Sequence, residues 1–311
     1  MPPTSCAMGI HLARKYGCRG VAEIADLWPE SIVAYGIAGP RNPAVLALRR
    51  LEKWIYEKAD DVVFTCEGGY DYIVEQGWEG RIPRAKIHYI NNGVDLAVFD
   101  ENRARYTVQD PDLEDPSVFK VVYTGSIRKV NHLGLLLDAA KEVTDPRVKF
   151  LIWGDGDQRA ALEQRVREEE ISNVVFKGKV EKKYIPSIVS RADINLIHGG
   201  DQGKELFRFG ISPNKMFDCF AAGRPILMDL PANIIQWSNF KPGFVFRVYR
   251  RFLPPSADQV LSPQAYESLC GNARKAAARF DFRVLTQELM EILEKRGMSR
   301  VEFTYSAYKN P

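Results

Sequence analysis

Between Val118 and Met228 the chain keeps returning to one pattern: VFKVVYTG (Val118 to Gly125), VKFLIWG (Val148 to Gly154), NVVFKG (Asn173 to Gly178), INLIHG (Ile194 to Gly199) and PILM (Pro225 to Met228). Longer amphipathic stretches separate these apolar runs, at Asn131 to Glu142, Gln158 to Glu170 and Tyr184 to Ser190. The alternation predicts parallel strands joined by helices, a doubly wound α/β sheet. Such sheets bind ligands beyond the carboxyl ends of their strands, which singles out Gly125, Gly154, Gly178 and Gly199.

The same alternation starts earlier, on a smaller scale. Strands are expected at Gly20 to Asp26, Asp61 to Thr65 and Lys86 to Ile90, with helices from Pro29, from Asn42-Pro43 through Ala59, and from Gly68 to Gln76. From Asp95 to Ser117 the chain is polar and carries Asp-Pro twice and Pro-Asp once, so it reads as a linker. The expected division is a first unit over 1–105, a second over 106–280, and a terminal helix over 281–311 packing back toward the first unit. The first unit looks short, with three strands and an opening on the helix-like HLARKYG.

Composition narrows the class. The chain has 311 residues, 45% hydrophobic and 27% charged, with a formal net charge of +3. That suits a globular protein of two ordinary domains, and the small charge argues against nucleic acid as a partner. The five cysteines, Cys6, Cys18, Cys66, Cys219 and Cys270, lack metal-ligand spacing; the expectation is small core residues in a reducing cytoplasm and no metal site. There is no 18-residue apolar run, and MPPTSCAMGIHLARKYG lacks the features of an export signal.

Four segments carry candidate chemistry. In GISPNKMFDCFAAGRP, Gly210 and Ser212 give a turn, Pro213 suits a first helical position, and the N–H groups of Asn214, Lys215 and Met216 would face a phosphate. Asp218 lies one turn on, and Gly223 ends the helix. Thr124-Gly-Ser-Ile-Arg-Lys129 delivers two cations to a strand end, where charge-assisted bonds could hold a diphosphate; a solvated basic turn would look the same. Trp153-Gly-Asp-Gly leaves room for a flat base or a ribose, or is a plain strand-to-helix turn. Asp26, in DLWPES, stands just past a strand, either as a carboxylate facing a cleft or as a helix cap. His198-Gly-Gly200 is assigned no role.

Together these segments resemble the family 4 glycosyltransferases, built from two facing Rossmann-like domains in the arrangement called GT-B. The matching pieces are DLWPES at Asp26, NNGVD at Asn91, YTGSIRK at Tyr123, WGDGDQR at Trp153, VVFKGKV at Val174, SPNKMFDCFAAGRP at Ser212 and RFDFRVL at Arg279. The resemblance implies retaining, metal-independent transfer of a sugar from a nucleotide sugar of the UDP-N-acetylhexosamine type. The acceptor would be lipid-linked or a saccharide, the process the synthesis of capsule, exopolysaccharide or O-antigen, and no cofactor is needed.

By the same resemblance, Gly125, Ser126, Arg128 and Lys129 meet the diphosphate, Gly154 and the segment from Lys177 to Val180 line the base site, and Asp218 holds the ribose. Gly210, Ser212, Pro213, Asn214 and Lys215 form the phosphate loop, and Asp26 is the candidate catalytic residue, cast as binding or orienting a sugar rather than as a base. The chain departs from the family in four places. Gly210 stands where a glutamate is common, Asn131 where a lysine is common, and the segment from Gly243 to Ser262 is atypical. The first unit also begins about 100 residues late by domain size. That last departure predicts an incomplete first domain whose open edge a partner chain would cover. It keeps a second reading alive, a nucleotide-sugar-binding fragment or pseudoenzyme. A two-domain epimerase is a third, disfavoured by Gly210. The helix from Pro43, with Arg49, Arg50, Lys53 and Lys58 beside Leu51, Trp54 and Ile55, is a candidate membrane-surface face or an ordinary packed helix.

Overall fold

The computed structural model describes residues 3–198, 203–229, 244–246 and 262–294. The first unit runs α1 (Pro3–Lys15), β1 (Val21–Ile24), α2 (Glu30–Ala34), α3 (Pro43–Lys58), β2 (Asp61–Phe64), α4 (Gly69–Glu75) and β3 (Ile87–Tyr89). Its strands form a parallel sheet in the order β1-β2-β3. Val62 and Phe64 are fully buried in the central strand, and Tyr56, Tyr72, Ile73 and Ile82 close the core around them.

The second unit follows as α5 (Leu96–Arg105), α6 (Pro111–Glu114), β4 (Phe119–Thr124), α7 (Gly134–Lys141), β5 (Val148–Trp153), α8 (Arg159–Glu168), β6 (Val174–Gly178) and α9 (Ile185–Ser190). It continues with β7 (Ile194–His198), α10 (Lys204–Phe207), α11 (Asn214–Ala222), β8 (Ile226–Asp229), β9 (Phe244–Phe246), α12 (Pro263–Arg279) and α13 (Phe282–Glu294). Six parallel strands lie in the order β6-β5-β4-β7-β8-β9. Strand order reverses between β4 and β7, so the binding crevice of this sheet belongs there. Helices cover both faces, and β4, β5 and β7 are buried almost throughout, which is why they read as unbroken apolar runs. The fold is α/β with two Rossmann-like units.

Two expectations change, and one open alternative is decided. The segment read as a linker contains α5, started by Asp95, whose side chain accepts from the Val98 N–H at 3.0 Å, and α6, capped in the same way by Asp110. Phe99 of α5 is buried with Phe217, Phe220 and Phe280, and Asp100 pairs with Arg274 of α12. Helix α5 therefore belongs to the second core, and the units part near Asn92 rather than at residue 105. The helix from Pro43 is an ordinary packed helix: Ile55 is buried, Leu51 and Trp54 pack on the first core, and Arg49 is bound to Glu30. Of the cysteines, Cys219 alone is fully buried; Cys18 is exposed and the other three are half-buried. The atypical 243–262 segment lies outside the described residues except at β9 and Ser262.

Several threads tie the units together. Arg19 donates to the Ile292 and Leu293 carbonyls at 3.1 and 2.7 Å, holding the last turn of α13 against the first unit. The segment from Gly203 to Phe209 leaves the second sheet and packs on the first unit: Phe209 is buried edge-on against Tyr72, and its carbonyl accepts from the Gly68 N–H at 2.8 Å.

Candidate active site

Beyond the ends of β4, β5 and β6 lies a cavity of about 770 Å³, walled by Gly125, Ser126, Arg128, Trp153, Gly154 and Gly156, and by Lys179, Val180, Lys182 and Ile185. The glycines are forced by packing. Gly154 has φ +152°, and a Cβ there would stand 1.8 Å from the Gly125 carbonyl oxygen, a collision between two backbones. The two strand ends approach that closely because Gly154 carries no side chain, and the opening they leave suits a flat group.

Sequence reasoning placed Lys177 on this wall, and the structure does not. Lys177 Nζ lies 2.7 Å from Asp110 and 2.5 Å from Asp112, with Lys149 completing the cluster at 2.6 Å from Asp112. Although burial pushes the other way, the bonds from Lys149 and Lys177 hold the Asp112 carboxyl below its usual range. Lys177 belongs to the strand itself; the residues that reach the cavity are Lys179, Val180 and Lys182, beyond the strand end. Lys129 likewise lies on an exposed turn and lines neither cavity described here, while Arg128 reaches the first.

A second cavity, of about 520 Å³, opens between the units. Asp26, Trp28, Ser31 and Tyr35 come from the first, and Asn131, His198, Gly210, Ser212, Pro213 and Lys215 from the second. Gly210 takes φ +100°, a conformation only glycine adopts freely, as the chain turns from its packing on the first unit back to α11. Ser212 then links both units: its backbone carbonyl accepts from Asn92 Nδ2 at 2.6 Å, its hydroxyl oxygen accepts from the Asn92 N–H at 2.9 Å, and the hydroxyl donates to Asn91 Oδ1. Pro213 proves to be the residue before α11 rather than its first, and the Met216 N–H is spent on the Pro213 carbonyl at 2.9 Å. That leaves the N–H groups of Asn214 and Lys215 as the orphans of the first turn. Gly223 ends α11 in the left-handed conformation.

Asp26 is exposed on the cavity rim and caps no helix, since α2 starts after Pro29 without a side-chain cap. Asp218 lines neither cavity directly. Burial pushes its carboxyl up to about 6, against the pull of Lys182 on the lip of the first cavity. Lys215 is the wall residue that sequence reasoning valued only for its N–H. Its ammonium lies 3.1 Å from the Tyr123 hydroxyl and 4.4 Å over the ring, and burial brings it down to about 8. Tyr123, inside an apolar strand run, was given no role of its own; His198, also assigned none, is buried on the second cavity with Nε2 3.0 Å from the His132 carbonyl. Among the described residues, no group of three or more His, Cys, Asp or Glu could hold a metal.

A strand order with its reversal at β4/β7, glycine-walled strand ends, and a loop and helix facing a second unit define the GT-B type of glycosyltransferase fold. Residues 118–232 match the family model described as Glycosyl transferases group 1. The chain is similar to WbjE of Pseudomonas aeruginosa, named as a glycosyltransferase, at 24% identity over 215 residues covering 68% of this chain and 51% of WbjE. It is similar to WcaI of Escherichia coli K12, named for colanic acid biosynthesis, at 23% over 314 residues covering 96% of this chain and 70% of that protein. The crystal structure of Anabaena HepE in complex with UDP superposes with a TM-score of 0.69 at 15% identity, over 94% of this chain and 77% of HepE. The chain thus has a GT-B fold, matches the glycosyl transferases group 1 model over residues 118–232, and spans about half the length of WbjE.

Proposed function

We propose that this chain is a retaining, metal-independent glycosyltransferase of family 4. It would move a sugar, of the N-acetylhexosamine type, from UDP to a lipid-linked or saccharide acceptor in bacterial surface polysaccharide synthesis. The observation that carries this reading is the meeting of two cavities at one wall: Gly125 lines the first and Lys215 the second, and the Lys215 ammonium reaches 2.9 Å from where a Gly125 Cβ would stand. A nucleotide in the first cavity would extend its diphosphate to that wall and present its sugar to the second. The UDP bound by HepE and the colanic acid biosynthesis named for WcaI support the donor and the process.

Arg128, Lys215 and the first N–H groups of α11 meet the diphosphate charge, so the reading needs no metal. The bond from the anomeric carbon to the distal phosphate oxygen breaks, and its electron pair leaves on UDP. The acceptor hydroxyl oxygen bonds to that carbon from the same face, and its proton passes to the departing phosphate oxygen. Asp26, on the opposite rim, orients the acceptor hydroxyl, and Asp218 accepts from the ribose. No helix among the described residues is long and apolar enough to cross a membrane, and a lipid-linked acceptor would bring the chain to the inner membrane face from the cytoplasm.

Calorimetric titration with UDP, followed by incubation of UDP-N-acetylhexosamines with a polyprenyl-diphosphate-linked sugar, tests the reading. Binding and an α-linked product from an α-linked donor are expected. Binding without transfer would replace it by the nucleotide-sugar-binding fragment, and an inverted product would remove the retaining mechanism.

A further inference from the structure

Behind the second cavity, in the first core, three acidic side chains share too few hydrogen bonds. Glu52 of α3 is 2% exposed, and among the described residues no cation pairs with it, since Arg49, one turn earlier on the helix, is bound to Glu30. A buried carboxyl without a counter-charge keeps its proton, and burial pushes this one up to about 8. Tyr56 and Tyr72 each bring another proton, and the three groups meet in two contacts of 2.8 Å. Whichever way those two bonds run, one O–H is left over and needs an acceptor outside the trio.

A chamber of about 20 Å³, the space of one water, adjoins the trio. Glu52 and Tyr56 line it together with Cys6, Ile24, Asp26 and Trp28, so Asp26 brings the one other carboxylate among the described residues of its wall. Asp26 and Trp28 also line the second cavity and form the partition between the two spaces. Asp26 is exposed, and among the described residues its side chain has no hydrogen-bond partner. A carboxylate that orients a substrate hydroxyl needs a fixed position of its own.

We propose that Glu52 is a positioning residue for Asp26: the spare O–H of the trio donates to one water in the chamber, and that water donates to the Asp26 carboxylate. The inference rests on the reading that Asp26 orients the acceptor hydroxyl, and it adds what holds Asp26 in place. Loss of the Glu52 proton removes the spare donor and sets two carboxylates facing each other across one water. The other groups facing Glu52 keep their state in that step. Burial raises both phenols well above their ordinary value and raises the Cys6 thiol, while Arg49 and Glu30 stay paired.

Infrared difference spectra of the wild-type chain against Glu52→Gln at pH 6 isolate the carbonyl stretch of the neutral Glu52 acid, with no need for turnover. Asp26→Ala, a change at an exposed residue, should shift that band. An unshifted band, or no neutral-acid band at all, overturns the inference. The second arm follows transfer from UDP-N-acetylhexosamines to a polyprenyl-diphosphate-linked sugar, with melting measured at each pH. From pH 7 to pH 9 the wild-type kcat should fall by about five- to tenfold as Glu52 ionises, and that of Glu52→Gln by less than about twofold. In the Asp26→Ala background the two profiles should coincide. A difference that persists there means that Glu52 acts on stability alone and overturns the inference while leaving the Asp26 reading intact. Wild-type rates in Asp26→Ala, or no transfer by the wild-type chain, remove the orienting role of Asp26 and this inference with it, whatever the infrared band shows.

Discussion

Glu52 offers a prediction whose size can be worked from the structure. It lies on α3 in the middle of the first core, 2% exposed, and its two carboxylate oxygens accept from the hydroxyls of Tyr56 and Tyr72, each at 2.8 Å. Burial pushes the carboxyl up to about 8; the two phenol bonds pull against it, Glu30 adds to the rise, and Arg49 opposes it. The unfolded chain releases this proton near 4.5. Between those values the folded state holds a proton that the unfolded state has lost, so stability is complete below about 4.5 and falls as pH rises toward 8. At 1.36 kcal/mol per pH unit, the stretch from pH 5 to pH 8 removes about 4 kcal/mol, on the order of 10 °C in melting temperature. Glu52→Gln mimics the neutral acid, since its amide can donate to one phenol oxygen and accept from the other, and should cost less than about 1.5 kcal/mol at pH 5. The assay is urea unfolding of both proteins from pH 5 to pH 9, followed by the fluorescence of Trp78, whose ring lies 6.2 and 6.0 Å from those of Tyr56 and Tyr72. The difference between the proteins isolates Glu52 from every other titrating group. Parallel pH slopes would refute the reasoning, because they would mean that Glu52 is already ionised in the folded core. The effect reaches the site: Arg49, on the same helix, holds Glu30, and the α2 helix that Glu30 opens lines the second cavity with Ser31, Ile32 and Tyr35.

Asp218→Asn should weaken uridine binding by roughly 10- to 100-fold, the cost of replacing a charged acceptor for the ribose. Since burial sets the Asp218 carboxyl at about 6, wild-type uridine affinity should fall about tenfold from pH 7 to pH 5, and the variant should show no such fall; a pH-independent wild type argues against the ribose role. Gly154→Ala places a methyl group on the Gly125 carbonyl and should lower stability by about 3 kcal/mol or more while abolishing UDP binding; a variant that melts and binds as wild type contradicts the packing described. Lys177→Met leaves Asp110 and Asp112 facing each other and should cost about 2 to 3 kcal/mol, with UDP affinity changed less than about threefold; strong loss of binding at unchanged stability would return Lys177 to the base site.

The second sheet was legible because its strands are buried on both faces, so each appears as an apolar run ended by glycine. Helix α5 was not: half its residues are polar, it buries Phe99 alone, and such a segment between Asp and Pro residues looks like a linker. At the site, positions fixed by backbone were readable, Gly125, Gly154 and Gly210 among them. Positions fixed by side-chain direction were not. Lys177 and Lys179 are two residues apart, and only the ion pairs with Asp110 and Asp112, distant in sequence, show which of them is spent on structure. Lys215 was read for its N–H but not for its side chain, since a lysine in the first turn of a helix is ordinarily solvated and nothing local announces that Tyr123 draws it inward.

The position of Gly210 has a physical cause that bears on how the site is assembled. Phe209 is anchored in the first core, while Ser212 opens the approach to α11 in the second unit, so the chain must reverse between them within two residues. A φ of +100° achieves the reversal, and a side chain at that position would oppose it. The consequence is that the loop before α11 is held from the first unit at both ends, through Phe209 against Tyr72 and through Ser212 against Asn91 and Asn92. Movement of the first unit relative to the second would therefore pull on the orphan N–H groups of Asn214 and Lys215 directly. The residue that turns the chain at the second cavity thus makes the first turn of α11 depend on the position of the unit that carries Asp26.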